Sequence, residues 1–256
     1  MSDFEAYVSL NEELSQTESS MEMKKTSQRL AVMEKEHELR ELQERSQRQR
    51  ELLYNTLPDH IAERMLNGED VSGDEYPSAA VMFCDVVGFT AGSRDLPARK
   101  VTETLEKVFG SFDSICTEHR ITKIKTIGDS YLAVAFEDDE SSAAERLARA
   151  AVQMNQLDLR WPDSAAVKFR FGMHCGPVVA GVVGTQRYQY DVWGDTVNTA
   201  SRLESQCEAG QISISESLAQ QLNSGLFNVL EGPRLELKGL GEQRTYLLEA
   251  VNSSQA

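Results

Sequence analysis

The chain is 256 residues long and 40% hydrophobic, enough for one good-sized core with an extension beyond it. Its 41 acidic and 26 basic side chains leave a formal net charge of −15, and no basic cluster interrupts the acidity, which argues against a nucleic-acid or anionic-membrane partner. No apolar stretch approaches the roughly 20 residues of a membrane span, and the start lacks a basic-then-apolar signal pattern. The four cysteines, Cys84, Cys116, Cys175 and Cys207, lack metal-ligand spacing, so a cytoplasmic polypeptide with buried, reduced thiols is expected.

In chain order, residues 1–20 are polar, rich in Ser and Glu, and expected to be loosely ordered. Residues 21–57 contain neither proline nor glycine and mix charges of both signs, which predicts a long helix. Met23, Leu30 and Met33 fit one heptad register, and Val32, Leu39, Leu42 and Leu53 fit another. That weak, shifted seam suits a coiled coil pairing two copies, with a solitary solvated helix as the alternative. His37, Ser46 and Gln49 near the seam keep it marginal, closer to a switch than to a clamp. Residues 58–75 read as a linker: Pro58, a short amphipathic stretch over 61–66, then Asn67-Gly68 and an acidic run.

Residues 76–250 predict an α+β region. The run over 79–90 reads as a buried strand ending in Asp85, and its Gly88-Phe89-Thr90 turn leads into a helix and offers backbone N–H groups to phosphate. Val101, Leu105, Val108, Phe109, Phe112 and Ile115 follow helical spacing, as do Leu147, Ala150, Ala151 and Met154. Between these helices, 123–136 reads as a hairpin with Gly128-Asp129 at its tip. Two carboxylates brought together repel, so a bare pair raises one pKa or binds a hard cation such as magnesium. The alternative is that Asp85 caps a helix and Asp129 merely closes a turn. Residues 167–174 and 177–183 read as strands, and His174 as a packed histidine without chemistry. The run Tyr190-Asp191-Val192-Trp193-Gly194-Asp195-Thr196-Val197-Asn198-Thr199-Ala200-Ser201-Arg202 is a strand-to-helix passage. With Asp195 or Thr196 as N-cap, Asn198 and Arg202 fall four apart on one face, where they can meet a sugar and a phosphate together.

Phe83-Cys84-Asp85-Val86-Val87-Gly88-Phe89-Thr90, Lys125-Thr126-Ile127-Gly128-Asp129 and Asp191 to Arg202 resemble, in order and spacing, the catalytic domain of class III nucleotide cyclases. The resemblance implies a ferredoxin-like βαββαβ-type fold with helices on one face of the sheet. It implies that Asp85 and Asp129 hold two magnesium or manganese ions per site, which bind the triphosphate and activate the ribose 3′-hydroxyl for attack on the α-phosphorus, with loss of pyrophosphate. Asn198 then matches the residue that orients the ribose, Arg202 the one that stabilises the transition state, and Lys238 the one on the terminal phosphates.

Lys125 and Asp191 match the pair that reads adenine, where guanylyl cyclases resemble the same frame with glutamate and usually cysteine. The chemistry agrees: adenine presents a donor at N6 and an acceptor at N1, and guanine reverses that edge. ATP is the expected substrate. The family's site forms between two catalytic domains, and this chain carries both sets of residues, which implies a head-to-tail homodimer with two equivalent sites and an inactive monomer. Where many relatives place a basic residue, this chain has Gln186, so either Arg187 beside it takes the phosphate contact or the contact is absent. Leu52-Leu53-Tyr54-Asn55-Thr56-Leu57-Pro58 is similar to the segment that joins sensor modules to the cyclase in bacterial relatives, which implies an upstream sensor module or regulator. Two alternatives stand beside this reading: a guanylate cyclase, opposed by Lys125 and Asp191, and a non-catalytic nucleotide-sensing dimerisation partner, opposed by the intact set of acids, amide and arginine.

Overall fold

A computed structural model describes residues 2–94, 96–162, 165–237 and 241–251. The chain divides into two compact units, Met1–Leu66 and Asn67–Ala256.

The first unit is helix α1 (Ser2–Tyr54) followed by helix α2 (Asp59–Leu66). Helix α1 takes in residues 2–20, where loose order was expected from polarity; no glycine or proline occurs before Pro58, so nothing interrupts the backbone ladder. Of the apolar side chains assigned to the seam, Leu53 is half-buried and the others lie open: Leu39, the most covered of Met23, Leu30, Val32, Met33, Leu39 and Leu42, is still 51% exposed. Pro58 cannot donate to a continuing helix, but its carbonyl accepts from Ile61 and Ala62 N–H at 2.9 Å and so starts α2. Among the described residues no helix is long and apolar enough to cross a membrane.

The second unit runs β1 (Asp74–Val86), α3 (Phe89–Ser93), α4 (Ala98–Glu118), β2 (Thr122–Ile127), β3 (Ser130–Phe136), α5 (Ala143–Asn155), β4 (Phe169–Val183), β5 (Gln189–Trp193), α6 (Asp195–Ser205), β6 (Ile212–Ser215), α7 (Glu216–Ala219), β7 (Phe227–Leu237) and β8 (Gly241–Ala250). One sheet orders its strands β2-β3-β1-β4-β6-β8-β7, with β5 paired to β4. Its β1-α4-β2-β3-α5-β4 portion, antiparallel in the order β2-β3-β1-β4, is the ferredoxin-like arrangement within an α+β fold. Residues 167–174 and 177–183 do not form two strands. Strand β4 continues through Gly176-Pro177, because β1 carries a bulge between Tyr76 and Ala79 that absorbs the proline's missing donor.

Alternation along β1 divides the core. Met82, Cys84 and Val86 join Phe112, Leu147, Phe169 and Phe171 in the cluster under α4 and α5. Phe83 and Asp85 point to the other face, with Arg170 and Gly172 directly across on β4. That face carries α6, so the helices do not all lie on one side of the sheet. Gly172 is the reason α6 sits so close: a Cβ there would stand 2.0 Å from Glu204 N and 2.3 Å from Ala200 O.

Candidate active site

Asp85, the penultimate residue of β1, lies on the α6 face, and its pairing partner on β3 is Ser130. Asp129 precedes Ser130 in a two-residue loop whose first member, Gly128, has φ 65°, a conformation that glycine adopts without strain. The register therefore sets Asp129 beside Asp85. Burial and then the Asp129 charge push the Asp85 carboxyl above its ordinary value, while Arg170 pulls it back. Two carboxylates crowded in this way form a hard-oxygen donor set, which fits a divalent ion.

Arg170, which the sequence analysis did not single out, lies across from Asp85. Its Nε–H donates to Asp85 Oδ2 at 3.0 Å, and its Nη2 stands 2.8 Å from the same oxygen. Glu204 comes in from α6, with Oε1 2.7 Å from Arg170 Nε but off the N–H direction, so an ion pair forms without a hydrogen bond. Burial pushes the Glu204 carboxyl up to about 7, with Arg170 opposing and Asp85 adding to the rise. The signal available in sequence was an arginine in the alternating run Val167-Lys168-Phe169-Arg170-Phe171, whose meaning depends on knowing the β1–β4 register.

Lys125 on β2 and Asp191 on β5 meet within the one chain. Lys125 Nζ donates to Asp191 Oδ2 at 2.5 Å, and the Val192 N–H donates to Asp191 Oδ1 at 2.9 Å, which fixes the carboxylate. The side chains are 29% and 12% exposed, so the pair is largely covered yet still reachable.

Helix α6 starts at Asp195, and neither Asp195 nor Thr196 is its N-cap. Gly194 holds that position with φ 139°, and the Thr196 hydroxyl donates instead to the Pro177 carbonyl at 2.6 Å. The helix buries Thr196, Thr199, Ala200, Leu203 and Glu204. Asn198, exposed, and Arg202, half-buried, share the opposite side four residues apart. Among the described residues, no hydrogen bond or ion pair links Asn198 or Arg202 to Asp85 or Asp129.

The other candidates are more scattered. The Phe89 ring packs 6.1 Å from the Trp161 ring, centroid to centroid. Thr90 follows it in α3, with its side chain outside the described part. Arg187 is exposed in the connection from β4 to β5, as is Gln186. Lys238 lies outside the described residues. His174 is a packed histidine: Nδ1 lies 2.8 Å from Ser215 Oγ and 3.2 Å from Ser217 Oγ, and burial lowers its pKa. Cys84, Cys116 and Cys175 are buried free thiols held above their ordinary pKa by burial, and Cys207 is half-buried.

Residues 71–250 match the family model of the adenylate and guanylate cyclase catalytic domain. An adenylate cyclase of Mycobacterium tuberculosis is 36% identical over 230 residues, which are 88% of this chain and 50% of that protein. Atrial natriuretic peptide receptor 2 of Homo sapiens is 36% identical over 204 residues, which are 77% of this chain and 20% of the receptor. The chain thus spans about half the length of the first relative and a fifth of the second. Among solved structures, the guanylate cyclase domain of RhGC from Catenaria anguillulae, in complex with GTP, aligns with a TM-score of 0.66 at 34% identity, covering 70% of this chain and 100% of that one.

Proposed function

The chain belongs to the class III adenylate and guanylate cyclase catalytic domain family, and on that premise we propose that it is an adenylate cyclase working as a head-to-tail homodimer. A relative named adenylate cyclase matches at 36% identity and a solved guanylate cyclase domain at 34%, so overall likeness does not choose the base. The observation that carries the choice is the Lys125–Asp191 pair. Asp191 Oδ2 can accept from the adenine N6 amino group, and Lys125 can donate to N1. Guanine would set its O6 acceptor against the carboxylate and its N1 donor against the ammonium, leaving polar groups in the site unpaired.

Cyclase domains of this family use divalent metals, and Asp85 with Asp129 would hold them here. Magnesium or manganese, when bound, supplies charge neutralisation for the triphosphate and acidifies the ribose 3′-hydroxyl. The chain's own groups do the rest. Asn198 orients the ribose so that the 3′-oxygen lines up with the α-phosphorus. A 3′-O–P bond forms as the α–β bridging P–O bond breaks, the hydroxyl proton leaves to solvent, and pyrophosphate departs. The Arg202 guanidinium spreads over the charge that builds on the reacting phosphoryl group. Backbone N–H groups at Phe89 and Thr90 meet the phosphates, and Lys238 and Arg187 hold the outer ones. The exposed apolar positions on α1 favour pairing of two copies along that helix, under control of an upstream sensor module or regulator.

Incubating the purified chain with ATP or GTP plus magnesium or manganese, and identifying the product by mass, tests the proposal. Cyclic AMP from ATP is expected. Cyclic GMP as the main product would overturn the base assignment.

A further inference from the structure

Arg170 and Glu204 belong to none of the roles above, yet they connect α6 to Asp85. In the β1–β4 register Arg170 stands opposite Asp85, and two of its nitrogens converge on Oδ2, at 3.0 Å and 2.8 Å. Among the described residues Asp85 Oδ1 accepts no hydrogen bond. The guanidinium is fastened to α6 at two points: Glu204 Oε1 at 2.7 Å, and the Ser205 carbonyl, to which Nη1 donates at 3.4 Å. Glu204 is only 7% exposed, and Gly172 lets its backbone press against β4. A buried carboxylate is costly without a cation, so this pair holds the guanidinium in one place.

We infer that Glu204 is a positioning residue for the Asp85 carboxylate, acting through Arg170, so that α6 serves two active sites at once. Its outer face offers Asn198 and Arg202 to the site completed by a second copy. Its inner end, through Glu204, holds Arg170 on Oδ2 and leaves Oδ1 of its own Asp85 free to bind. The inference rests on the shared-site homodimer proposed above. Without the Glu204 charge, Arg170 keeps one carboxylate instead of two, and Asp85 loses its fixed orientation.

Mixed dimers separate this role from a merely structural one. An Arg202→Ala chain mixed with an Asp85→Ala chain leaves one complete site per mixed dimer, with Asp85 from the first chain and Arg202 from the second. Glu204→Gln is then placed on either chain, and the rate is followed against ATP and against manganese. On the chain that keeps Asp85, the substitution is expected to cut activity about 10- to 100-fold, mainly as a raised manganese requirement. On the chain that keeps Arg202, the rate of the parent mixture should persist. Glu204→Asp, which retains the charge at shorter reach, should recover part of the loss, and it replaces Glu204→Gln if that variant does not fold. Equal loss in both placements would mean that Glu204 only supports the helix, and no loss in either would mean it has no role; both overturn the inference. An inactive parent mixture would instead remove the shared-site reading, and the inference with it.

Discussion

Lys125 and Asp191 hold each other at 2.5 Å inside a single chain, whereas the side chains of Asn198 and Arg202, a few residues further along, make no hydrogen bond or ion pair among the described residues. The first pair is fixed by its own sheet: Asp191 is buried on β5, and the Val192 N–H locks its second oxygen. The second pair stands on the side of α6 turned away from the sheet. The pair proposed to read the base is thus preorganised in the protomer, and the groups proposed to act on sugar and phosphoryl wait for something outside it. Among the described residues, α6 connects back to its own acids through its inner end, by way of Glu204 and Arg170.

The strongest way to break this contrast is to remove the outward-facing arginine. Arg202→Ala should lower turnover on the order of 10³-fold or more, and Asp85→Ala should abolish it, while sedimentation shows the dimer unchanged in both. Rewriting the preorganised pair sharpens the other side: Lys125→Glu with Asp191→Cys should move the ATP-to-GTP preference by about 10²-fold or more toward GTP, read from kcat/KM for each nucleotide. Gly172→Ala attacks the seat that both sides share. The added Cβ meets backbone atoms of α6, so a loss of about 1–3 kcal/mol in stability is expected, together with reduced activity, measured by denaturant unfolding and by rate.

The smallest effect concerns His174, which lines the wall beside Thr196 and Thr199. Burial lowers its pKa from 6.5, so the folded chain resists a proton that the unfolded chain accepts. Stability should therefore fall as pH drops below 6.5 toward the lowered folded-state value. Melting temperatures of His174→Gln should show a flatter dependence across that window.

The sequence made local features legible. A strand ending in Asp85, a hairpin tip at Gly128-Asp129 and the four-residue step from Asn198 to Arg202 are each set by neighbours in the chain. What escaped depends on distant pairing. Arg170 gains its meaning only from standing across from Asp85, and Glu204 only from α6 docking on Gly172, which also explains why that helix takes the face opposite α4 and α5. Capping propensity misled at Asp195, because Gly194 takes the N-cap and the Thr196 hydroxyl turns to Pro177. Lys238 lies outside the described residues, so its placement rests on sequence alone.

The most direct test of two half-finished sites completed by a second copy is to mix two inactive variants, Asp85→Ala and Arg202→Ala, and measure cyclic AMP formation. Mixing equal amounts should restore roughly a quarter of the unmodified rate, since half the dimers are mixed and each holds one of two sites. A mixture that forms mixed dimers yet stays as inactive as its parents would contradict the account.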